Sequence, residues 1–487
     1  MARQQDPLKA ITGHAKEYGF IFPSSEIYDG LGATYDYGPN GVALRSNLRQ
    51  YWWQCMVQLH ENVVGLDAAI FMHPRTWAAS GHLDNFNDPL VDNKDSRKRY
   101  RADTLLEDKA DQLEKKGKGQ KANALRTQLA ECMTQNDLTG VGRLIEEYEV
   151  ADPESGSKNW SEVRQFNLMF GTRLGALAEG ANDLYLRPET AQGIFVNFLN
   201  VQKTARQKVP FGIAQTGKAF RNEIVARQFL FRMREFEQME MQFFVRPGTE
   251  MEWFEHWKEK RWKWHQSLGI APEHLRIHKH DTLAHYANAA IDIEYEFPIG
   301  FKEVEGVHSR TDFDLSRHQE YSGKKLQYYD PELQQNYIPY VVETSIGLDR
   351  LFLQVFHEAL TEETVQQGEK TTTRTVMKLP AFLAPNKIAI LPLTRKDGLP
   401  ERGLKIFEEL RLHHQCFYEE KDAIGKRYRR QDAIGTPYCI TVDHQTLEDD
   451  TVTLRYRDTM AQKRVSIREL KATMAQELDI TEQLKQL

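Results

Sequence analysis

The hydrophobic positions of this chain change period several times, and each change marks an element. Pro39 and Gly41 open a stretch in which Leu44, Leu48, Trp52, Cys55 and Leu59 recur at helical spacing. Gly65 ends that helix, and LDAAIFM (66–72) reads as a strand that closes before Pro74. Residues 92–158 are charged and poor in aromatics. They read as a helical insertion with a Gly/Lys turn at 115–120, or alternatively as a solvated, flexible excursion. RPETAQGIFVNFLNVQ (187–202) predicts a loop and then a helix. GIAQTGKAFRNEI (212–224) and FLFRMREFEQMEMQFF (229–244) alternate as two strands of a hairpin joined near VARQ. EMEWFEHWKEKRWKWHQSL (250–268) is a Trp-rich amphipathic helix that reads as packing. IPYVVETSIGLDRLFLQVFHEAL (338–360) predicts a strand, then Gly347, then a helix with Leu348, Leu351, Phe352 and Val355 inward.

Beyond Pro380–Pro385 the texture changes again. NKIAILPL, PYCITVD, TVTLRYRD and KRVSI read as strands, and GLKIFEELRLH as a helix. GKRYRRQDAIG reads as a basic helix or turn. This alternation predicts a separate α/β domain over 385–487, after a larger unit over 1–380, and an α+β class overall.

Composition narrows the functions available. A chain of 487 residues with 28% charged residues and a formal net charge of −6 is a soluble globular type and no bulk polycation. Any nucleic acid it holds must meet local basic patches. No apolar run is long enough to span a bilayer, and MARQQDPLKAITGHAKEYG lacks a signal-peptide core, which predicts a cytoplasmic protein. Cys55, Cys132, Cys416 and Cys439 are scattered, with no CxxC pair. Reduced thiols are expected, and no zinc.

Two motifs are decoys. Gly212 to Ala219 (GIAQTGKA) approaches a phosphate-binding loop but lacks the final Ser/Thr that would hold Mg²⁺. Its alternation also runs on through FRNEI instead of opening a helix. HKHDTLAH gathers His278, His280, Asp281 and His285. A metal site is one reading, and Asp281 as a helix N-cap is the simpler one.

The hairpin carries more. FRNEIVARQFLFRMREFEQMEMQF packs four arginines and four glutamates among phenylalanines and methionines. By alternation Arg232, Arg234, Phe236, Gln238, Glu240 and Gln242 share one face, opposite Arg221 and Glu223, while Glu235 and Glu237 point to the other. Arginines suit phosphate oxygens, a phenylalanine ring suits a purine face, and a carboxylate suits an ammonium. A solvated ribbon of Arg–Glu pairs, each worth ~0.2–1 kcal/mol, accounts for the spacing equally well.

Other segments decide between these. RPET (187–190), FRNE (220–223), FEQME (236–240) and ETSIGLDR (343–350), in this order, resemble the class II aminoacyl-tRNA synthetases. GFIFPSSEIYDGLGATYDYGPNGVALRSNLRQYWW (19–53), SGHLDNFNDP (80–89), RYRAD (99–103), NWSEVRQFNLMF (159–170) and IGKRYRRQDAIGTPYC (425–439) are similar to the homodimeric type of glycyl-tRNA synthetase. The resemblance spans nearly the whole chain.

That resemblance implies an antiparallel catalytic sheet flanked by helices, built from three motifs at about 41–74, 212–244 and 338–360. The first would form a homodimer contact, and the C-terminal domain would read the anticodon. It implies formation of glycyl-adenylate from glycine and ATP, then transfer to the 3′ end of tRNA(Gly). ATP would meet Arg221, Asn222, Glu223, Phe231, Arg232, Met233, Arg234, Glu235, Phe236, Glu303, Val304, Gly347, Leu348, Asp349 and Arg350. Arg221 and Arg350 would be catalytic, and Glu303 would bear on Mg²⁺. Glycine would meet Arg101, Glu189, Phe236, Glu237, Gln238, Met239, Glu240, Glu343, Thr344, Ser345, Ile346 and Gly347. In KRYRR, Lys426, Arg427, Arg429 and Arg430 would touch tRNA, with Tyr428 free to stack. The sequence departs from some members at VDNKDSRKRY, which lacks their paired cysteines.

Two rivals remain open at this level. One is a class II synthetase for histidine, threonine or proline. The other is a non-catalytic relative of the same fold, which should have lost Arg221 and Arg350.

Overall fold

A computed structural model describes residues 7–174, 182–224, 228–280, 283, 287–367 and 370–487. Its centre is a seven-stranded sheet. In chain order the strands are β1 (Val63–Gly65), β2 (Phe211–Phe220), β3 (Glu235–Val245), β4 (Leu275–Lys279), β5 (Ala289–Phe297), β6 (Gly300–Thr311) and β7 (Tyr340–Gly347). They lie in the order β4-β5-β6-β7-β3-β2-β1, all antiparallel except the β1–β2 pair. One face of β3 and β7 supplies Met239, Met241, Phe243, Val342 and Ile346 to the main core. Period two therefore leaves Gln238, Glu240, Gln242, Glu343 and Ser345 on the other face.

Helices Pro39–Trp53, Glu250–Ser267 and Leu348–Ala359 cover the apolar face. In the first of them a Cβ on Gly41 would lie 1.9 Å from the Phe20 carbonyl oxygen, so only glycine lets the N-terminal strand cross there. The helix ends at Trp53 in a π-turn, Gln54–Gln58, which leaves Leu59 exposed instead of on the buried stripe. The Trp-rich helix buries Trp257 and Trp264.

The strand expected over 66–72 is absent. The Leu66 amide still donates to Ala214 O, but Gln215 Oε1 takes the Ala68 amide and Arg187 takes the Ala68 carbonyl. With both backbone groups of Ala68 held by side chains, pairing is interrupted there, and only an isolated bridge from Phe71 to Leu186 remains beyond it.

The charged region 92–158 is folded. Helices Ala102–Lys115, Gly119–Thr134 and Leu138–Glu147 bury Leu106, Leu125, Val141 and Ile145 in a core of their own. Gly117, at positive φ, makes the turn expected at 115–120. A three-stranded ribbon, Arg99–Arg101, Asn87–Asp92 and Arg164–Asn167, joins it to the rest. Side chains close its turns. Asn93 Oδ1 accepts from the Asp95 and Ser96 amides, and Asp152 Oδ1 from the Glu154 amide.

The C-terminal part has a five-stranded sheet in the order Cys416–Tyr418, Ile388–Pro392, Tyr438–Val442, Thr451–Tyr456, Gln462–Ser466. The first three are parallel and the last two antiparallel. No helix among the described residues is long and apolar enough to cross a membrane.

Candidate active site

The site forms where β3, β6 and β7 meet the loop that precedes β3. That loop turns sharply. Gln228 and Phe229 take positive φ, a 3₁₀ turn follows over Phe229–Phe231, and regular strand begins only at Glu235. Arg232 still lines the same cleft as Phe236, while Arg234, also ahead of the ladder, bonds the Glu223 and Gly32 carbonyls. The joining residues Val225, Ala226 and Arg227 lie outside the described residues.

One cleft collects Arg221, Glu223, Phe231, Arg232, Met233, Phe236, Gln238, Glu303, Val304, Ser345, Gly347, Asp349 and Arg350. The Arg221 guanidinium carbon lies 5.3 Å from the Phe236 ring centroid and 5.5 Å from that of Phe86, and its Nε donates to Pro188 O. Arg350 sits 4.4 Å from the Phe231 centroid and donates to Glu303 Oε2 at 3.1 Å. Burial opposes the charge on Glu303, but Arg350 outweighs it and holds the carboxyl below its ordinary range.

Three residues expected at this end turn away. The Asn222 backbone amide donates to Leu168 O. Arg234 is spent on the Glu223 and Gly32 carbonyls, Glu235 pairs with Lys218, and Leu348 lies in the core.

The other end is a buried carboxylate cluster. Gln242 Nε2 bridges Glu240 Oε1 at 3.0 Å and Glu343 Oε2 at 2.6 Å, and the Thr190 hydroxyl donates to Glu240 Oε2. Glu343 also meets His308 Nδ1 at 2.9 Å and Arg310 at 3.1 Å. Glu189 accepts from Gln192 at 2.9 Å and faces His82 at 3.4 Å.

These environments split the three carboxyls apart. Burial works against charge on all of them. His82 and Arg310 outweigh it at Glu189, held at about 2, and Arg310 and His308 outweigh it at Glu343, also held low. At Glu240 the Thr190 hydrogen bond and Arg310 favour charge but do not outweigh what opposes it. Burial first, then Glu343 and Glu189, push it well above the carboxylate range. Of the three carboxyls, Glu240 is thus the one its surroundings push toward the protonated form.

The remaining residues expected beside glycine divide by face. Glu237 pairs with Arg45 and Arg49 behind the sheet, and Met239 and Ile346 are core. Thr344 shares the core side with Ile346, so the side chains of these four do not reach the cleft. Period two dictates this, and a contiguous motif obscures it. Arg101 is held by Asp88 and Asp103. His278 and His280 lie at the sheet edge, where His280 bonds Asp292, while Asp281 and His285 lie outside the described residues. No group of three His, Cys, Asp or Glu that could hold a metal occurs among the described residues.

In the C-terminal part, Lys426 and Arg429 are exposed and Arg430 is half-exposed beside Glu419 and Asp422. Arg427 is fully buried and donates to the Pro392, Glu419 and Leu393 carbonyls, so it is not available to a nucleic acid. Tyr428 is likewise half-buried, bonded to Thr441 and lying under Arg455, so it offers no free face for stacking.

Comparison with known proteins fits this geometry. Residues 175–359 match the tRNA synthetase class II core domain (G, H, P, S and T), 387–477 the anticodon binding domain, and 88–123 with 117–168 glycyl-tRNA synthetase insertion domain 1. A glycine–tRNA ligase of Chlorobaculum tepidum is 52% identical over 455 residues, covering 93% of this chain and 96% of its own. One from Geobacillus kaustophilus is 52% identical over 473 residues, 97% and 99%.

The chain belongs to the glycine–tRNA ligase family.

Its fold is that of a class II core joined to an anticodon-binding domain, in an α+β arrangement. A solved structure titled as the RNA binding domain of threonyl-tRNA synthetase from Cryptosporidium parvum superposes at TM-score 0.62 over 96% of this chain and 98% of that one. At 14% identity it speaks to fold alone.

Within this family frame, several residues of the site escaped the sequence reading: Thr190, Gln192, His308, Arg310 and Asp314, together with His82 and Phe86. Arg310 is the clearest omission, a buried arginine bonded to both Asp314 and Glu343. HSR (308–310) sits at a strand end with no motif around it, and only β6–β7 pairing brings it beside Glu343.

Proposed function

We propose that this chain activates glycine with ATP and transfers it to the 3′ end of tRNA(Gly). The observation that carries the reading is the buried cluster of Glu189, Glu240 and Glu343 next to a cleft walled by Arg221, Arg350 and Phe236. An ammonium suits the cluster, since it lets Glu240 ionise. A triphosphate suits the arginines, and a purine suits the phenylalanine face.

The glycine carboxylate is already an anion and needs no general base. It attacks the α-phosphorus in line, the new C–O–P bond forms, and the bond to pyrophosphate breaks. Arg221 stabilises charge at the α-phosphate and Arg350 at the γ-phosphate, while Glu223 receives the adenine amino group. The tRNA 3′-hydroxyl then attacks the carbonyl of glycyl-adenylate, and AMP leaves. Ser345, on the wall beside Gln238, stands where a larger amino acid would project. A missing methylene is worth only ~1–3 kcal/mol, so glycine must be selected by excluding bulk. Met239, Thr344 and Ile346 support that wall from behind. Mg²⁺ arriving with ATP needs one or two carboxylates; Glu303, half-exposed and favoured in its ionised form by Arg350, would hold it, and the cation would offset phosphate charge.

Lys426, Arg429 and Arg430 form the tRNA-facing set on the helix Ile424–Ile434. Ile27, Tyr28, Leu31, Val42, Leu59 and Phe71 are all exposed apolar side chains within the first 75 residues, which suits a homodimer contact. A cytoplasmic location fits this reading. ATP–pyrophosphate exchange with a panel of amino acids tests it. Exchange dependent on glycine alone, followed by charging of tRNA(Gly), is expected; exchange with histidine, threonine or proline, or none at all, would overturn it.

A further inference from the structure

Behind the cleft lies a second buried network that the proposed chemistry does not use. Arg45, on the helix Pro39–Trp53, reaches Glu237 Oε2 at 2.9 Å and Asp349 Oδ1 at 3.4 Å, with its guanidinium carbon 4.5 Å from the Tyr37 ring centroid. The Tyr37 hydroxyl donates to the same Asp349 oxygen. The other oxygen, Asp349 Oδ2, accepts the Glu237 backbone amide at 2.8 Å. Arg49, one turn along the helix, closes on Glu237 at 2.6 Å. Asp349, Glu237 and Arg45 are 2%, 6% and 9% exposed.

Position gives this network its consequence. Glu237 lies between Phe236 and Gln238, and Asp349 lies between Gly347 and Arg350; all four of these neighbours line the cleft. The Glu237–Asp349 bond therefore sets how far the phenylalanine wall stands from the Arg350 guanidinium. Two carboxylates this close and this buried repel, and Arg45 is the cation that reaches both. Arg49 serves Glu237 alone. The same helix carries Val42 outward, 52% exposed, among the apolar side chains assigned above to a subunit contact.

We infer that Arg45 is a positioning residue for the ATP half of the site: by holding Glu237 and Asp349 together it fixes Phe236 relative to Arg350 and ties both to the outward-facing helix. This rests on the proposed glycine-activating function. The glycine half stands apart, because Glu189, Glu240 and Glu343 are held by Thr190, Gln192, Gln242, His308 and Arg310 instead.

The test is glycine-dependent ATP–pyrophosphate exchange on the full chain as parent, Arg45→Met and Arg45→Lys, with gel filtration and thermal melting alongside. A misplacement of about 1 Å is expected to lower kcat roughly 100-fold in Arg45→Met and raise the KM for ATP, with the KM for glycine within about twofold of the parent. Arg45→Lys, which keeps the charge but loses the fork, should fall between them, and it carries the test if Arg45→Met does not fold. A folded variant with kcat within about threefold of the parent, or equal rises in both KM values, overturns the inference. A parent without glycine-dependent exchange overturns the functional reading instead.

Discussion

Replacing Glu240 with glutamine isolates the chemistry of the acidic cluster. In the free protein burial, then Glu343 and Glu189, push Glu240 toward the neutral form that glutamine mimics. Its oxygens accept from Thr190 and Gln242, and the glutamine carbonyl can keep one of these bonds. The loss appears only when glycine brings an ammonium and the parent carboxyl would ionise. An unmatched buried charge costs ~3–5 kcal/mol. At about 1.4 kcal/mol per decade, the lower end predicts a KM for glycine raised roughly 150-fold, with the KM for ATP nearly unchanged. The sign of the pH effect follows. Glu240 is pushed toward its protonated form before binding and toward its ionised form beside an ammonium, so binding releases protons. The parent's KM for glycine should fall as pH rises from the ordinary carboxylate range toward Glu240's raised value. In Glu240→Gln that slope should vanish. Linkage also predicts that the free protein loses stability as pH rises through Glu240's raised value, and that glycine's stabilising shift grows over the same interval. Pyrophosphate exchange at several pH values, with calorimetry in buffers of different ionisation enthalpy, reads both. A variant KM for glycine within threefold of the parent, or an unchanged pH slope, would refute the reasoning.

Arg221→Ala should lower pyrophosphate exchange by at least ~10²-fold, with thermal melting close to the parent; near-normal exchange removes Arg221 from the chemistry. Lys426→Ala with Arg429→Ala should raise the KM for tRNA about tenfold and leave the KM for ATP alone, and equal effects on both would count against a tRNA role. Arg427→Ala, by contrast, strands one buried and two partly buried carbonyl acceptors and should cost ~2–3 kcal/mol in denaturant unfolding; a loss under 1 kcal/mol would contradict its buried role. Gly217→Ala places a Cβ 2.2 Å from the Arg187 guanidinium, which holds the Lys218 and Ala68 carbonyls. It should destabilise by ~1–3 kcal/mol with or without nucleotide, and a nucleotide-specific defect would revive the phosphate-loop reading of GIAQTGKA.

Much of this protein was legible along the chain because its determinants are local. Alternation set the faces of Phe211–Phe220 and of Glu235–Val245, and helical spacing set the buried stripe of Leu348, Leu351, Phe352 and Val355. The ordered motifs marked Arg221, Phe236, Glu240 and Arg350, and the family they pointed to is the one the comparison shows. The misreadings have one physical source: a side chain's partner is chosen by packing. Residues 66–72 are apolar enough for a strand, yet Gln215 and Arg187 occupy both backbone groups of Ala68 in its middle. Arg427 and Arg429 look alike in KRYRR, but the helix turns one inward onto three carbonyls and leaves the other in solvent. Glu235, Glu237 and Glu240 stand within six positions of each other and meet Lys218, Arg45 and a hydroxyl respectively. The sequence alone determined which chemical groups are present and which strand face each takes. Only the tertiary structure decided their charge, because burial and the nearest cation are properties of strands and helices brought together from far apart in the chain.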